Sequence, residues 1–274
     1  MIRRPPRSTQ SRSSAASDVY KRQSLHVIAP VDKEIKEGDT VYLGAIGPGQ
    51  TIEVLIDEEV KTGGKFGQGG VFDYAVVEKA PPGWIGIPSK LHDKPLRVAL
   101  TADPEAKEGE YIAKIKVIDE NNVDGLGETM FFVKVNITYD IVDTSITPIY
   151  VKTGPGQPAK FSITINNKGV SGDAFIIQAQ GPKRWEFKRS IFVPAKSNKT
   201  IVYEIVGNEE EIYKTQISVQ SSASPLIHYE KNITVDIQSN ILHDMKATNN
   251  GVLTFPIFES LVYSFFGLIS NLFA

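Results

Sequence analysis

The chain has 274 residues, 41% of them hydrophobic and 23% charged, with a net charge of −2; this is the composition of one or two folded domains and excludes intrinsic disorder. It contains no cysteine, which excludes a disulfide framework, a thiolate metal centre and a thiol nucleophile. Its four histidines, His26, His92, His228 and His243, show no HxxxH or HExxH spacing, which argues against a histidine-held metal.

Residues 1–23 differ from the rest. They hold six basic residues and one acidic residue, a charge of +5, and leave −7 for everything after them. An arginine- and serine-rich, acid-poor start suits a transit peptide, but Pro5-Pro6 and the scarcity of apolar residues leave no amphipathic helix. The string resembles the translation of sequencing-adapter read-through, and is expected to be a disordered, non-native segment outside the fold.

From Ser24 onward the chain repeats itself. Gly47-Pro48-Gly49-Gln50 returns 107 residues later as Gly154-Pro155-Gly156-Gln157. A tryptophan shortly after a proline recurs as Trp84 and Trp185, a strand-opening tyrosine as Tyr111 and Tyr213, and Asn136-Ile137-Thr138 as Asn232-Ile233-Thr234, at offsets of 101, 102 and 96. Four landmarks in one order, about one hundred residues apart, indicate a duplicated domain. Between them the hydrophobic period is two: Tyr111, Ala113, Ile115 and Val117; Phe131, Val133, Val135 and Ile137; Phe161, Ile163 and Ile165; Tyr213, Thr215, Ile217 and Val219. Half-buried antiparallel strands read this way. With glycine, proline and asparagine turns and no long helical pattern before Gln238, the expected fold is all-β. It comprises two tandem immunoglobulin-like β-sandwiches of about seven strands, 24–145 and 146–238. Tyr111 and Tyr213 sit where a tyrosine corner is expected, with the hydroxyl bonded to nearby backbone.

The second repeat, with PGQPAKFSITINNKG, the Trp185 strand, FVPAKSNKTIVYEIVG and the Tyr213 strand, resembles the alpha-galactosidase-associated and cell-adhesion-related (CARDB-like) Ig-like families. The resemblance covers 154–238 well. It covers the first repeat less well, because 61–73 is longer and richer in glycine. It implies exported bacterial or archaeal modules acting as spacers, adhesion units or enzyme accessories, and brings no shared catalytic residue.

Residues 252–274, VLTFPIFESLVYSFFGLISNLFA, carry Glu259 as their one charged side chain. A 23-residue helix spans about 35 Å, enough for a bilayer core, so the segment is read as a transmembrane anchor after a polar linker at 239–251. An interfacial helix, or one packed on the second domain, is the alternative, since Ser260, Ser264, Gly267 and Asn271 form a polar seam. The expected location is the extracellular side of a cell membrane.

Candidate chemistry is sparse. Asp119, Asn121, Asp124 and Glu128 concentrate oxygen donors around Gly125 and are the candidate calcium ligands, although the EF-hand spacing fails because Phe131 stands at its twelfth position. A polar hairpin turn explains the same residues. No other cofactor is expected. The sequons at Asn136, Asn198 and Asn232 are candidate glycosylation sites on an exported protein. Gly63 to Gly70 lacks Walker spacing, and Lys65, Phe66 and Gln68 within it form the candidate partner loop for a protein or glycan. There is no GxSxG elbow and no carboxylate pair marked as a glycosidase dyad, so the chain is expected not to be an enzyme. Beyond residue 23 the charge is mildly acidic with no basic stripe, which argues against nucleic acid. The expected function is a non-catalytic, membrane-anchored surface protein whose modules act as spacers or adhesion units. A carbohydrate- or peptide-binding accessory is the alternative, and exposed, coplanar Trp84 or Trp185 rings would favour it.

Overall fold

The computed structural model describes residues 24–239. The segment 1–23, the expected anchor at 252–274 and all of the linker but Ser239 lie outside them. The described chain clusters into two compact units. One runs to Ile141 and takes in Gly169–Ser171, and the other comprises Val142–Lys168 and the residues from Gly172 onward. Among the described residues no helix is long and apolar enough to cross a membrane.

The first unit contains β1 (Ser24–Ala29), β2 (Lys33–Lys36), β3 (Thr40–Ile46), β4 (Thr51–Ile56), β5 (Glu59–Val60), β6 (Gly70–Val71), β7 (Tyr74–Lys79), β8 (Ile85–Ile87), β9 (Leu96–Thr101), β10 (Gly109–Ile118) and β11 (Glu128–Ile137). They form a five-stranded sheet, β2-β1-β4-β9-β8, a four-stranded sheet, β3-β11-β10-β7, and the small β5-β6 hairpin. The second unit contains β12 (Val142–Thr147), β13 (Tyr150–Thr153), β14 (Pro158–Asn167), β15 (Asp173–Gln180), β16 (Phe187–Val193), β17 (Ser197–Val206), β18 (Ile212–Ser221) and β19 (His228–Ile237). These form the sheets β12-β14-β17 and β13-β19-β18-β15-β16. In each unit a short early strand runs parallel to the last one, β3 along β11 and β13 along β19. The other pairings within the large sheets are antiparallel. Each unit is an immunoglobulin-like β-sandwich, and the two share a strand order except at the edge.

The period-two pattern decides which face is core. On β11, Phe131, Val133, Val135 and Ile137 are buried, as are Phe161, Ile163 and Ile165 on β14. Each unit has its own apolar cluster. Phe72 and Phe131 are fully enclosed in the first, and Phe161 and Phe175 in the second. Truncating any of these rings to alanine removes about 3–5 kcal/mol, a large part of the ~5–15 kcal/mol that holds an ordinary domain together.

The repeated landmarks have local causes. In both tetrads the chain turns with a hydrogen bond from the fourth residue to the first, Gln50 N–H to Gly47 O and Gln157 N–H to Gly154 O. Gly49 and Gly156 lie at φ +70° and +73°, as the third position of a type II turn after proline requires. Both tryptophans close a turn on the proline three residues earlier: Trp84 N–H donates to Pro81 O, and Trp185 N–H to Pro182 O. Each ring then packs on its tyrosine, Trp84 on Tyr111 at 5.4 Å and Trp185 on Tyr213 at 4.6 Å between centroids.

Two local features break the repeat. Tyr111 Oη donates to Lys107 O at 3.0 Å, making the expected corner, whereas the buried Tyr213 hydroxyl has the Glu211 carboxylate nearby but no acceptor in hydrogen-bond geometry. Seven residues, Ala102 to Glu108, precede β10, but only five, Gly207 to Glu211, precede β18, and the shorter loop brings no carbonyl under the second hydroxyl. The strand carrying the repeat's edge also changes sheet. β8 pairs with β9, from Ile85 opposite Thr101, while β16 pairs with β15, from Asp173 opposite Val193. Pro81 and Pro82 between β7 and β8 have no N–H with which to extend a ladder along β7, consistent with the chain crossing to the other sheet there.

Candidate interaction surfaces

At one end of the first unit three loops are tied together. Pairing of β5 with β6 isolates residues 61–69 as a loop, and Gly69 N–H to Gly63 O closes its neck. Lys65 N–H donates to Asp124 O at 2.7 Å, and Val71 N–H to the Asp124 carboxylate at 2.7 Å. Both bonds pin this loop to the one between β10 and β11. Asp73 ties in the third: its carboxylate accepts from Glu120 N–H at 2.8 Å and meets His92 Nδ1 at 3.0 Å, while its carbonyl accepts from His92 N–H. Each loop carries an exposed apolar side chain, Phe66, Leu91 and Val123, and Phe66 is 85% exposed.

The candidate calcium ligands are engaged within this loop system. The buried Asp119 carboxylate accepts from the backbone N–H groups of Val123, Asp124 and Leu126 at 2.9, 3.1 and 3.0 Å. Asp124 turns to Val71 as described, and Glu128 pairs with Lys116 at 3.1 Å. Asn121 and Asn122 hold left-handed backbone, φ +62° and +52°, which asparagine tolerates, and Asn122 Oδ1 accepts from Gly127 N–H. Protein donors thus order the turn and engage the Asp119, Asp124 and Glu128 carboxylates. Among the described residues no group of three or more His, Asp or Glu side chains is placed to hold a metal ion.

Of the partner-loop residues, Phe66 stands out from the surface, Lys65 is held through its backbone, and Gln68 lies in the Gly63–Gln68 bridge at the loop neck. Asn198 and Asn232 are exposed, whereas Asn136 is half-buried in β11, flanked by Ala45 and Glu110 on the neighbouring strands. Trp84 and Trp185 are buried at 8% and 5% exposure, so neither forms an exposed aromatic platform. Trp185 Nε1 donates to Val206 O at 2.9 Å, while Trp84 Nε1 has no partner. Tyr203, whose hydroxyl donates to Trp185 O, has its pKa pushed up to about 12 by burial. His92 meets one carboxylate, Asp73.

Whole-chain charge hid one feature. Residues 183–199 hold six basic residues against Glu186 alone, and the fold sets most of them on β16 and the turns beside it. The reading that the chain has no basic stripe is corrected here: the surplus cancels in the total and appears only when the window is narrowed.

No family model matches the chain, and no curated protein matches it. Among solved structures, a chimeric titin Z1Z2 tandem is 10% identical, with 80% of this chain and 98% of that one covered, at a TM-score of 0.36. Titin Ig tandem domains A164-A165 are 9% identical over the same shares at 0.29. The CARDB domain of the PF1109 protein from Pyrococcus furiosus, in complex with di-metal ions, is 13% identical, with 38% of this chain and 94% of that one covered, at 0.29. At such scores these likenesses add nothing to the fold, which rests on the strand order and the two buried cores.

Proposed function

We propose that this chain is a non-catalytic surface protein whose tandem sandwiches serve as spacer and interaction modules, attached to the outer side of a membrane through the apolar sequence 252–274. It makes contact through the tied loops of the first unit. The observation that carries this reading is Phe66, a large apolar ring left 85% exposed on a loop whose backbone is hydrogen-bonded into place. Burying such a ring on contact contributes about 1.5–3 kcal/mol, and a loop ordered beforehand loses little entropy in the process. Aromatic anchors of this kind dominate binding energy at interfaces.

Adhesion of beads coated with the protein to intact cells of the source organism tests the proposal, with Phe66→Ser as the variant. At least a tenfold fall in bound beads, with far-UV circular dichroism unchanged, is the expected result. Equal adhesion by both proteins would remove the loop from the contact, and adhesion by neither would leave a spacer alone. Limited proteolysis of intact cells should release peptides from 24–239; their release only after lysis would overturn the surface location.

A further inference from the structure

The second unit carries a cationic edge that its own carboxylates leave unneutralised. β16 is the last strand of its sheet. Lys188 and Arg189 on it, Lys196 in the turn to β17 and Lys199 on β17 itself are all exposed, and among the described residues none is ion-paired. Elsewhere cations pair readily: Lys114 with Glu78, Lys134 with Glu110, Lys160 with Glu204, Lys168 with Asp143. Lys183 and Arg184 add charge at the other end of β16, where Glu209 and Glu211 act alongside Arg184 on the Tyr213 hydroxyl. The unopposed charge therefore lies from Lys188 to Lys199.

Beside it the outer face of the sheet is a flat array of amides and hydroxyls. Register places Lys188, Gln178, Ser218 and Glu230 in one row and Gln180, Gln216 and Asn232 in the next, across β16, β15, β18 and β19; Gln216 donates to Glu230 at 2.9 Å, which leaves Gln178 and Gln180 as the amides nearest the cations. A shallow depression lined by Gln178, Ala179, Gln180, Glu186, Phe187 and Lys188 lies at the junction of charge and amides. Edge strands often carry lysine to repel other strands, and that role explains the charge. It explains neither the neighbouring amide rows nor the depression.

We infer that this face, from the Lys188–Lys199 edge across Gln178 and Gln180, binds an acidic polysaccharide. The cations meet carboxylate groups along the polymer, and the amides donate to and accept from its hydroxyls. A nucleic acid would call for successive exposed aromatic rings on which bases stack, and this edge offers one, Phe192, 56% exposed on β16, while Phe187 in the depression is half-buried, stacked on Tyr203 at 4.7 Å. An acidic peptide would use the charge but would leave the amide rows without a role. The site is separate from the loops of the first unit and stands or falls independently of them.

Binding of the full chain to polygalacturonate, polyglutamate and neutral dextran, measured by affinity electrophoresis in detergent, tests the inference. Polygalacturonate should retard the protein and dextran should not, with affinity falling at least tenfold between 50 and 300 mM salt as released counterions require. The double change Lys188→Glu with Arg189→Glu should weaken polygalacturonate binding at least tenfold. Gln178→Ala with Gln180→Ala should weaken it at least threefold while leaving any polyglutamate binding unaltered. Absence of polygalacturonate binding overturns the inference, as does equal binding of both polyanions with silent glutamine variants, which would mark a site for acidic peptides. Charge reversal that leaves binding intact but produces concentration-dependent dimers would reduce the lysines to edge protection and overturn it as well.

Discussion

Tyr111→Phe and Tyr213→Phe make the same chemical change at equivalent places and should move stability in opposite directions. Both rings keep their packing on tryptophan, so only the hydroxyl is lost. At Tyr111 that removes a hydrogen bond to Lys107 O, costing the first unit about 0.5–1.5 kcal/mol. At Tyr213 it removes a buried hydroxyl that reaches no acceptor in hydrogen-bond geometry, the Glu211 carboxylate lying nearby, relieving part of a desolvation cost of about 1–3 kcal/mol. A global melt would blur two units, so the assay is native-state hydrogen exchange read at amides of β10–β11 for one unit and β18–β19 for the other. Since about 1.4 kcal/mol is tenfold in an equilibrium constant, Tyr111→Phe should speed exchange in its unit by roughly two- to tenfold. Tyr213→Phe should slow exchange in the other by at least twofold. Faster exchange in both variants would show that Tyr213 Oη is satisfied, and the loop-length account of the broken corner would fail.

Asp119→Ala leaves three backbone donors, one of them on the buried Leu126, without an acceptor and should cost about 2–4 kcal/mol; Asp119→Asn, which keeps one oxygen, should recover part of it. Because the same turn supplies Asp124 O to Lys65 N–H, exchange at the Lys65 amide should accelerate more in Asp119→Ala than exchange in β1 or β4, and uniform acceleration would refute a local role. His26 is held above its ordinary value of 6.5, first by its hydrogen bond to Asp32, which outweighs the opposing effect of burial, and then by the charges of Asp32, Asp57 and Glu34. Its pKa is raised in the folded chain, so the stability it contributes is complete below the unfolded-state value and disappears as pH climbs through the folded one. A proton NMR titration should show His26 moving toward its ordinary value in Asp32→Asn, and an unmoved midpoint would exclude the pair as the cause.

Sequence revealed the strands because a sandwich strand is patterned by one local rule, alternate burial, and the tetrad and tryptophan landmarks because each closes its own turn within three residues. Trp84 and Pro81, or Gly49 and Gln50, need nothing distant to act. What escaped depends on pairings between remote segments. Sequence shows Asp119 and Asp124 as oxygen-bearing side chains beside a glycine, but not that they tie loops together, because that depends on donors such as Val71 N–H, 53 residues away from Asp124. The exchange of partners between β8 and β16 was equally hidden: both follow a turn containing proline, and only the ladder shows that one joins β9 and the other β15.

That exchange also separates the two units as surfaces. In the first, the three-residue β8 leaves Ile85 and Ile87 exposed at 62% and 53% on its sheet's edge, with Gly86 pressed toward Val77, an apolar edge too short to template a long strand. In the second, seven residues of β16 extend the opposite sheet, widening it to five strands and placing Lys188 in register with Gln178 and Ser218. Lys188 stands beside the amide rows because β16 joined β15 rather than β17. Had the second repeat kept the pairing of the first, the cations would border the narrow sheet, on whose outer side β17 presents Val202 and Val206, and the polar rows would end at β15. Two copies of one fold thus offer different contact chemistry, an aromatic loop tip on one and a cationic, amide-lined sheet on the other, through a single change in which strand the edge segment follows.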